Sequence, residues 1–384
     1  MNILHIHQDY PDGRPYPITK AVSNLIHGCE TIDTSINHTV LSINRTSNPF
    51  KTSVKQFEQG VSVIYWAIPL PFIYYWSMKL SANFMFNQLK DLNVNIIHGH
   101  KLTCEGVLAY FLAKKFNVPY VLSIRGGSDL NNIKRLSGLS GFFGKVFNNA
   151  KKIFWVSAWA KKPIQNKLQV NNTQIDESSL LPNICKINLN YDQQPPEKRI
   201  NYVTAVSYHQ HKRKGLAELI EAISILHKND NSFVLDIYGS GDQVYKTELE
   251  HLIIKFNASE FIHLKGQVTQ SELVIAMSLS KGFLLPAVNE TFGMAYIEAL
   301  SVGCPILYVS NTGIDGYFDG ISIGEKISSQ DVNELTNSIQ KIHHNNVQLC
   351  NEVKKQQDEN TLSSFTMSPI SENYLSAIKR VNHV

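Results

Sequence analysis

The sequence lacks the features that would place it in several large classes. It has no strong charge excess: Lys+Arg 36 against Asp+Glu 32 leaves a formal charge of +4, too mild and too dispersed to coat nucleic acid. A weak attraction to an anionic membrane surface stays open. Its five cysteines, Cys29, Cys104, Cys185, Cys304 and Cys350, are scattered and form no CxxC pair. Neither a disulfide framework nor a zinc site is expected, which points to a reducing cytoplasm. The first residues run directly into a strand-like stretch without a basic start, an apolar core and a small-residue cleavage site, so no export signal is expected. The longest apolar run, residues 61–78 (VSVIYWAIPLPFIYYWSM), approaches membrane-spanning length. Pro69 and Pro71 would break a helix there, and its five tyrosines and tryptophans suit a wet interface better than hydrocarbon.

What is present is an ordinary globular balance, 43% hydrophobic and 18% charged over 384 residues, enough for two or three domains. Short β-branched runs alternate with longer amphipathic ones, the pattern of a parallel sheet with crossover helices. Strands are expected at Asn2 to His7, Thr39 to Ile43, Val61 to Ile68, Ile96 to His98, Tyr120 to Ile124 and Lys152 to Val156. A helix is expected from Glu105 to Phe116, and another leads out of the aromatic run to about Leu92. The alternation restarts at Tyr202 to Val206 and continues through Leu216 to Lys228, Phe233 to Tyr238, Tyr245 to Asn257, Ile262 to Lys265, Gln270 to Ser278 and Gly282 to Leu285. Two doubly wound α/β units in series follow. Both periodicities lapse across Lys186 to Arg199 (KINLNYDQQPPEKR), which reads as a linker. Pro369 to Val384 reads as a last helix with Ile370, Tyr374, Ala377, Ile378 and Val381 on one side.

Doubly wound sheets bind ligands outside the carboxyl ends of their strands. The richest such place is residues 284–303, LLPAVNETFGMAYIEALSVG. A strand ends in Pro286, a loop carries Glu290, and Thr291-Phe292-Gly293 leads into a helix that Gly303 terminates in a left-handed conformation. Glu298 then sits about one turn into the helix, whose first amides face any anionic ligand. A carboxylate there accepts hydrogen bonds from a vicinal diol such as ribose, while Glu290 reaches a second polyhydroxyl group. The competing reading is a solvated helix bearing two surface acids.

These residues make the chain resemble the retaining glycosyltransferases of family 4. The match is the acid, seven residues, acid arrangement of Glu290 and Glu298, with Phe292-Gly293, Glu298-Ala299-Leu300 and Gly303-Cys304-Pro305. His98-Gly99-His100, Arg125 to Asp129, Val156-Ser157, Leu181-Pro182-Asn183, Lys214-Gly215, Gly239-Ser240-Gly241 and Gly266-Gln267-Val268 follow the family's order. The resemblance covers nearly the whole chain and is more specific in its second half.

The resemblance implies the GT-B fold: two Rossmann-like doubly wound α/β domains facing a central cleft, with the C-terminal helix crossing back to the first. Residues 1–190 would form the acceptor-binding domain, 200–368 the nucleotide-sugar-binding domain, and 369–384 the returning helix. It also implies a hexosyltransferase that moves a hexose from a nucleotide-diphosphate sugar to a hydroxyl of a glycan or lipid-linked glycan. Bacterial surface polysaccharide or lipopolysaccharide assembly is the setting, in the cytoplasm or peripherally at the inner face of the cytoplasmic membrane. Alternatives on the same fold are a non-hydrolysing nucleotide-sugar 2-epimerase and an inactive nucleotide-sugar-binding homologue.

By this resemblance Glu298 binds the donor ribose, Glu290 lies beside the transferred sugar, and Lys214 neutralises the departing diphosphate. Thr291, Phe292, Gly293, Gly239, Gly241 and Val268 line the donor pocket. Where the family has an arginine five residues before the lysine, this sequence has His209, and Arg213 is the candidate second cation. The family's paired glycines after the first strand are replaced by residues 9–14 (DYPDGR), leaving Gly13 as the candidate for close approach of backbone to phosphate. Arg125 stands where many members have a histidine. An arginine stays protonated and is no general base, so it reads as a phosphate or acceptor clamp or as a salt bridge to Asp129. That fits a front-face mechanism in which the leaving phosphate oxygen takes the acceptor proton. Asp9, Arg14, His100 and Asp129 complete the acceptor side. His98 and His100 alternate at a strand end, so they face a cavity together or, the favoured reading, are satisfied core histidines. The acid-x-acid aspartate pair that holds a metal in the other glycosyltransferase fold is absent, so a metal-free reaction is expected.

Overall fold

The computed structural model describes residues 1–14, 19–170, 180–191 and 193–382. It divides into two units, Met1–Ile184 with Met367–Val384, and Cys185–Thr366.

The first unit is built on β1 (Asn2–His7), β2 (Asn37–Thr46), β3 (Ser53–Phe57), β4 (Gly60–Trp66), β5 (Ile96–Gly99), β6 (Tyr120–Ile124) and β7 (Lys152–Trp155). They form one seven-stranded sheet in the order β3-β4-β2-β1-β5-β6-β7. Every pair is parallel except β3 with β4, a hairpin on the edge. The strand order reverses direction between β1 and β5, so the carboxyl ends of these two strands form the crevice that such sheets use for ligands. Side chains alternate faces along β1. Leu4 and Ile6 join a large apolar cluster with the helices Pro71–Leu89, Val107–Phe116 and Ser140–Asn149. Ile3 faces the opposite way, into a second cluster with Leu25 and Cys29 of helix Ala21–Ile32.

The last helix, Met367–Asn382, belongs to this second cluster and therefore to the first unit. Ile370, Tyr374, Leu375, Ala377 and Ile378 are buried in it. It meets helix Ala21–Ile32 closely at Gly28, where a Cβ would lie 2.3 Å from Ser371 Oγ, and Lys379 Nζ pairs with Asp33 at 2.6 Å. The expected helix ran to Val384, and residues 383 and 384 lie outside the described residues.

The second unit holds β8 (Tyr202–Ala205), β9 (Leu235–Tyr238), β10 (Ile262–Gly266), β11 (Gly282–Leu284), β12 (Ile306–Val309) and β13 (Gly324–Ile327). All pairs are parallel, in the order β10-β9-β8-β11-β12-β13, with the switch point between β8 and β11.

Two expectations need correction. The segment 186–199 is no free linker, because its side chains bond within the second unit. Arg199 is buried and donates to the carbonyls of Gln194, Ser280 and Val302, and Tyr191 donates to Ser278 Oγ at 3.1 Å. Asp192 of this segment lies outside the described residues. The aromatic run also divides differently from its composition. Tyr74 is buried and donates to the Thr103 carbonyl at 2.6 Å, and Tyr75 packs edge-on against Phe111 and Phe142. The exposed apolar face of helix Pro71–Leu89 is instead Phe72 at 91%, Trp76 at 61% and Leu80 at 58%, spaced four residues apart, flanked by Leu70 and Ile73.

Candidate active site

Three loops at adjacent strand ends build the site of the second unit. The loop after β8 carries residues 206–215, the loop after β11 carries 285–293, and the loop after β12 carries 310–316. The first two are stitched together by the backbone: Val288 N–H donates to the Arg213 carbonyl at 3.1 Å. Gln330 adds two more ties, donating to the carbonyls of Pro286 at 2.6 Å and Arg213 at 3.1 Å. Lys214 is thereby carried to Glu290, with which it forms a short, mostly buried ion pair.

Glu290 is held from the third loop as well. Its N–H donates to Thr312 Oγ1 at 2.6 Å, while Thr312 Oγ1 and the Gly313 N–H both donate to its carbonyl at 2.9 Å. The Thr291 N–H donates to Glu290 Oε1 at 3.1 Å. Gly293 then opens helix Met294–Ser301 with φ +77°, where a Cβ would meet the Tyr296 ring at 2.5 Å. Only glycine fits this corner. The Tyr296 hydroxyl anchors the ring by donating to the Leu285 carbonyl at 2.7 Å. Phe292 is buried beneath the loop, edge-on to Tyr317.

Glu298 lies on the fifth residue of this helix. Burial pushes its carboxyl above the ordinary glutamate range, opposed by a hydrogen bond from Gln270 Nε2 to Oε1 at 2.8 Å. Gln270 is the first residue of helix Gln270–Ser278, whose start is fixed by the reciprocal Thr269 and Glu272 capping bonds. Val268 and the glycines Gly239 and Gly241 occupy the loops after β10 and β9, at the same edge of the sheet.

The two expected substitutes for the missing arginine behave differently from a phosphate clamp. Arg213 donates to the carbonyl of Asn289 at 3.0 Å and to Gln210 Oε1 at 2.6 Å, so its guanidinium braces the two loops. His209 is exposed and rests against Gln210 at 3.2 Å.

In the first unit, Arg125 follows β6 and is almost fully buried. Its Nε donates to the His100 carbonyl and an Nη to Asn183 Oδ1, both at 3.1 Å. The pairing considered with Asp129 is made through the backbone N–H of Arg125 at 3.3 Å. Asp129 is fully buried, which corrects its expected place facing an acceptor, and His100 is fully buried too, in keeping with the core reading. Asp129 accepts from the backbone N–H groups of Leu102 at 2.9 Å and Thr103 at 3.1 Å, and so anchors the turn before helix Val107–Phe116. Asp9 pairs with Lys101 at 2.9 Å, and Arg14 pairs with buried Asp12 and donates to Ser42 at 2.8 Å. Gly13 has φ +82° and open space around it.

Residues not singled out from the sequence also shape these sites. Gln270, Thr312 and Gln330 support the acids and the lysine, and Thr312 was accessible to the strand-end rule because it follows β12. At the end of β1, His7 Nδ1 lies 3.4 Å from the buried carboxylate of Glu105, which also accepts from the Gln8 N–H at 2.9 Å.

The two parallel-sheet units are those of the GT-B fold. Residues 190–360, most of the second unit, match the family described as glycosyl transferases group 1. Over 253 residues the chain is 25% identical to a glycosyltransferase of Methanocaldococcus jannaschii, covering 65% of this chain and 66% of that one. It is 21% identical over 322 residues to the alpha-monoglucosyldiacylglycerol synthase of Acholeplasma laidlawii, covering 79% of each. Anabaena HepE, solved in complex with UDP, superposes with a TM-score of 0.68 over 99% of this chain and 100% of that one, at 14% identity. Together these findings show the GT-B fold and a second unit that is similar to the glycosyl transferases group 1.

Proposed function

We propose that the protein is a retaining hexosyltransferase, moving a hexose from a nucleotide-diphosphate sugar to a hydroxyl of a glycan or lipid-linked acceptor. The observation that carries this reading is Lys214 paired with Glu290 at the switch point of the second sheet, with Glu298 one turn into the following helix. A departing diphosphate needs a fixed cation, and a cation already held by a carboxylate costs no reorganisation as charge develops. Glu298 takes the ribose diol through the oxygen that Gln270 leaves uncommitted. The UDP held by Anabaena HepE and the lipid product named for the Acholeplasma enzyme support a nucleotide donor and a glycolipid or polysaccharide setting. The acceptor proton passes to the leaving phosphate oxygen, and no metal takes part in the transfer. Release of free nucleoside diphosphate should require both donor and acceptor, and should persist in EDTA. Donor conversion without acceptor would instead indicate the epimerase, and restoration by magnesium or manganese after chelation would overturn the metal-free step.

Glu298 sets a pH dependence. It binds a diol as a carboxylate, and its pKa is raised by burial. Donor affinity should therefore be greatest above this raised value and decline as the pH falls through it, before ordinary glutamates protonate. Glu298→Gln should weaken donor binding by about 1 to 3 kcal/mol at neutral pH and flatten the profile, because an amide NH2 cannot accept. Donor titrations showing the same affinity and pH profile in both proteins would remove Glu298 from the ribose site.

A peripheral membrane position belongs to the same proposal. Among the described residues no helix is long and apolar enough to cross a membrane. The face formed by Phe72, Trp76 and Leu80 offers a shallow apolar insertion, and Lys79 lies over the Trp76 ring at 5.3 Å, a cation placed for lipid phosphates. Replacing Phe72, Trp76 and Leu80 with serine should abolish sedimentation with anionic vesicles while leaving donor-induced thermal stabilisation intact. Wild-type protein that ignores such vesicles at low salt would end the membrane assignment.

A further inference from the structure

On the face of the first sheet that receives the returning helix, the apolar layer gives way to imidazoles toward the carboxyl ends. Ile3 is followed on that face by His5 and His7, Ile96 by His98 and then His100, and Val121 by Ser123. His5, His98 and His100 are wholly buried, and His5 stands opposite His98 in the parallel register. Buried polar groups are normally fully paired, so this concentration on the central strands calls for a physical reason.

Hydrogen bonding accounts for His98, whose two nitrogens meet Tyr374 and Ser123, but not for the other rings. His38, His5 and His100 form a line, with His5 Nε2 2.9 Å from His38 Nδ1 and His5 Nδ1 3.0 Å from His100 Nε2. Three neutral rings bring three N–H donors and three lone pairs, and two links consume only two of each. One end is left with a donor and the other with a lone pair. The corresponding atoms, His38 Nε2 and His100 Nδ1, are buried without a hydrogen-bond partner.

We propose that His5, His98 and His100 form a buried site for a single late first-row transition ion of the zinc and copper class. Among the described residues they are the one group of three whose ligand atoms lie within 4.8 Å of one another. Burial lowers the pKa of all three, which keeps them in the neutral form that ligates. Two imidazole nitrogens on a tetrahedral ion at about 2.1 Å stand about 3.4 Å apart. His5 Nδ1 and His100 Nε2 need separate by only a few tenths of an ångström, and His98 completes the set by turning Nε2 from Ser123 to the ion while Nδ1 keeps Tyr374.

Outer partners are in place for two of the three rings, His5 and His98. A ligating histidine normally donates its other N–H to a neighbour, which fixes the ring. His5 Nε2–H meets His38, and His98 is flanked by Ser123 Oγ and Tyr374 Oη, each at 2.9 Å. His100 borders a small cavity with Ser123, Arg125 and Asn183. An all-imidazole set without a carboxylate selects against magnesium, calcium and manganese. The nearby Arg125 charge adds a preference for low ionic charge, which favours cuprous copper. Because Tyr374 lies on helix Met367–Asn382, the ion would clamp that helix to the sheet, apart from any transfer chemistry.

The test uses the full chain after removal of metal under denaturing conditions and refolding, loaded separately with Zn2+, Cu+ and Co2+, with Mg2+ as control. One ion per chain should survive gel filtration, raise the melting temperature and, for Co2+, give the intense visible absorption of a tetrahedral nitrogen site. His5→Gln and His100→Gln should each lower retention at least tenfold. If the wild-type chain retains none of the three ions and shows no tetrahedral Co2+ spectrum, the site is disproved without reference to any variant. Retention unchanged in both variants would also overturn it. None of these readouts depends on glycosyl transfer, so their failure leaves the proposed reaction standing.

Discussion

Glu290→Ala and Lys214→Ala are each expected to lower turnover by about 10² or more, the range for a fixed electrostatic group acting on developing charge. The two side chains form one ion pair braced by three loops, so either replacement leaves the other charge mispositioned. On the proposed reaction, loss of Lys214 would expose the departing diphosphate to an uncompensated Glu290, whereas loss of Glu290 would free the lysine to wander. The double variant should therefore be scarcely worse than the poorer single one, because residues acting as a unit are not additive. Steady-state kinetics with saturating donor, alongside melting temperatures, separate lost chemistry from lost folding. Turnover within a few-fold of wild type in well-folded variants would show that the pair is a loop brace and nothing more.

Deleting residues 370–384 should unfold the first unit. The helix buries Ile370, Tyr374, Leu375, Ala377 and Ile378 against that unit's sheet and helix Ala21–Ile32. At about 1.5 to 3 kcal/mol for each large apolar side chain, their combined contribution is comparable to the whole stability of a typical domain. The truncation would also strip the cover from His98, whose Nδ1 meets Tyr374, and leave Asp33 without Lys379. Circular dichroism and limited proteolysis should show a disordered first unit beside a folded second one. A truncated protein with the wild-type melting profile and full activity would refute this.

Much of the architecture was legible before any coordinates. β1 and β6 run from Asn2 to His7 and from Tyr120 to Ile124 as expected, and the helix expected over Gln270 to Ser278 spans those residues. The two strands are buried and the helix start is marked by its Thr269 and Glu272 capping bonds, so local signals are enough to define them. β3 escaped because nearly all of its side chains are exposed and carry no alternating pattern. Its strand character comes from backbone pairing with β4. The loop acids, the lysine and the glycine corner could also be read, since each obeys a rule about residues following a strand.

Tertiary structure alone decided which of those groups remain available for chemistry. The sequence places Arg213 and Lys214 side by side, yet the paired loops turn one into a brace for the Asn289 carbonyl and bring the other to Glu290. Asp129 reads as a candidate for a cleft, and the packing of the first sheet buries it. The composition of residues 64–76 marked an aromatic surface, but helix phase hides Tyr74 and exposes Phe72 and Trp76. The gathering of His5, His98 and His100 depends on the register between β1 and β5, strands nearly a hundred residues apart in the chain. Local sequence sets which elements form and where their polar residues lie along them. The partners those residues meet are set by long-range strand pairing and loop contacts, which leave no periodic trace in the chain.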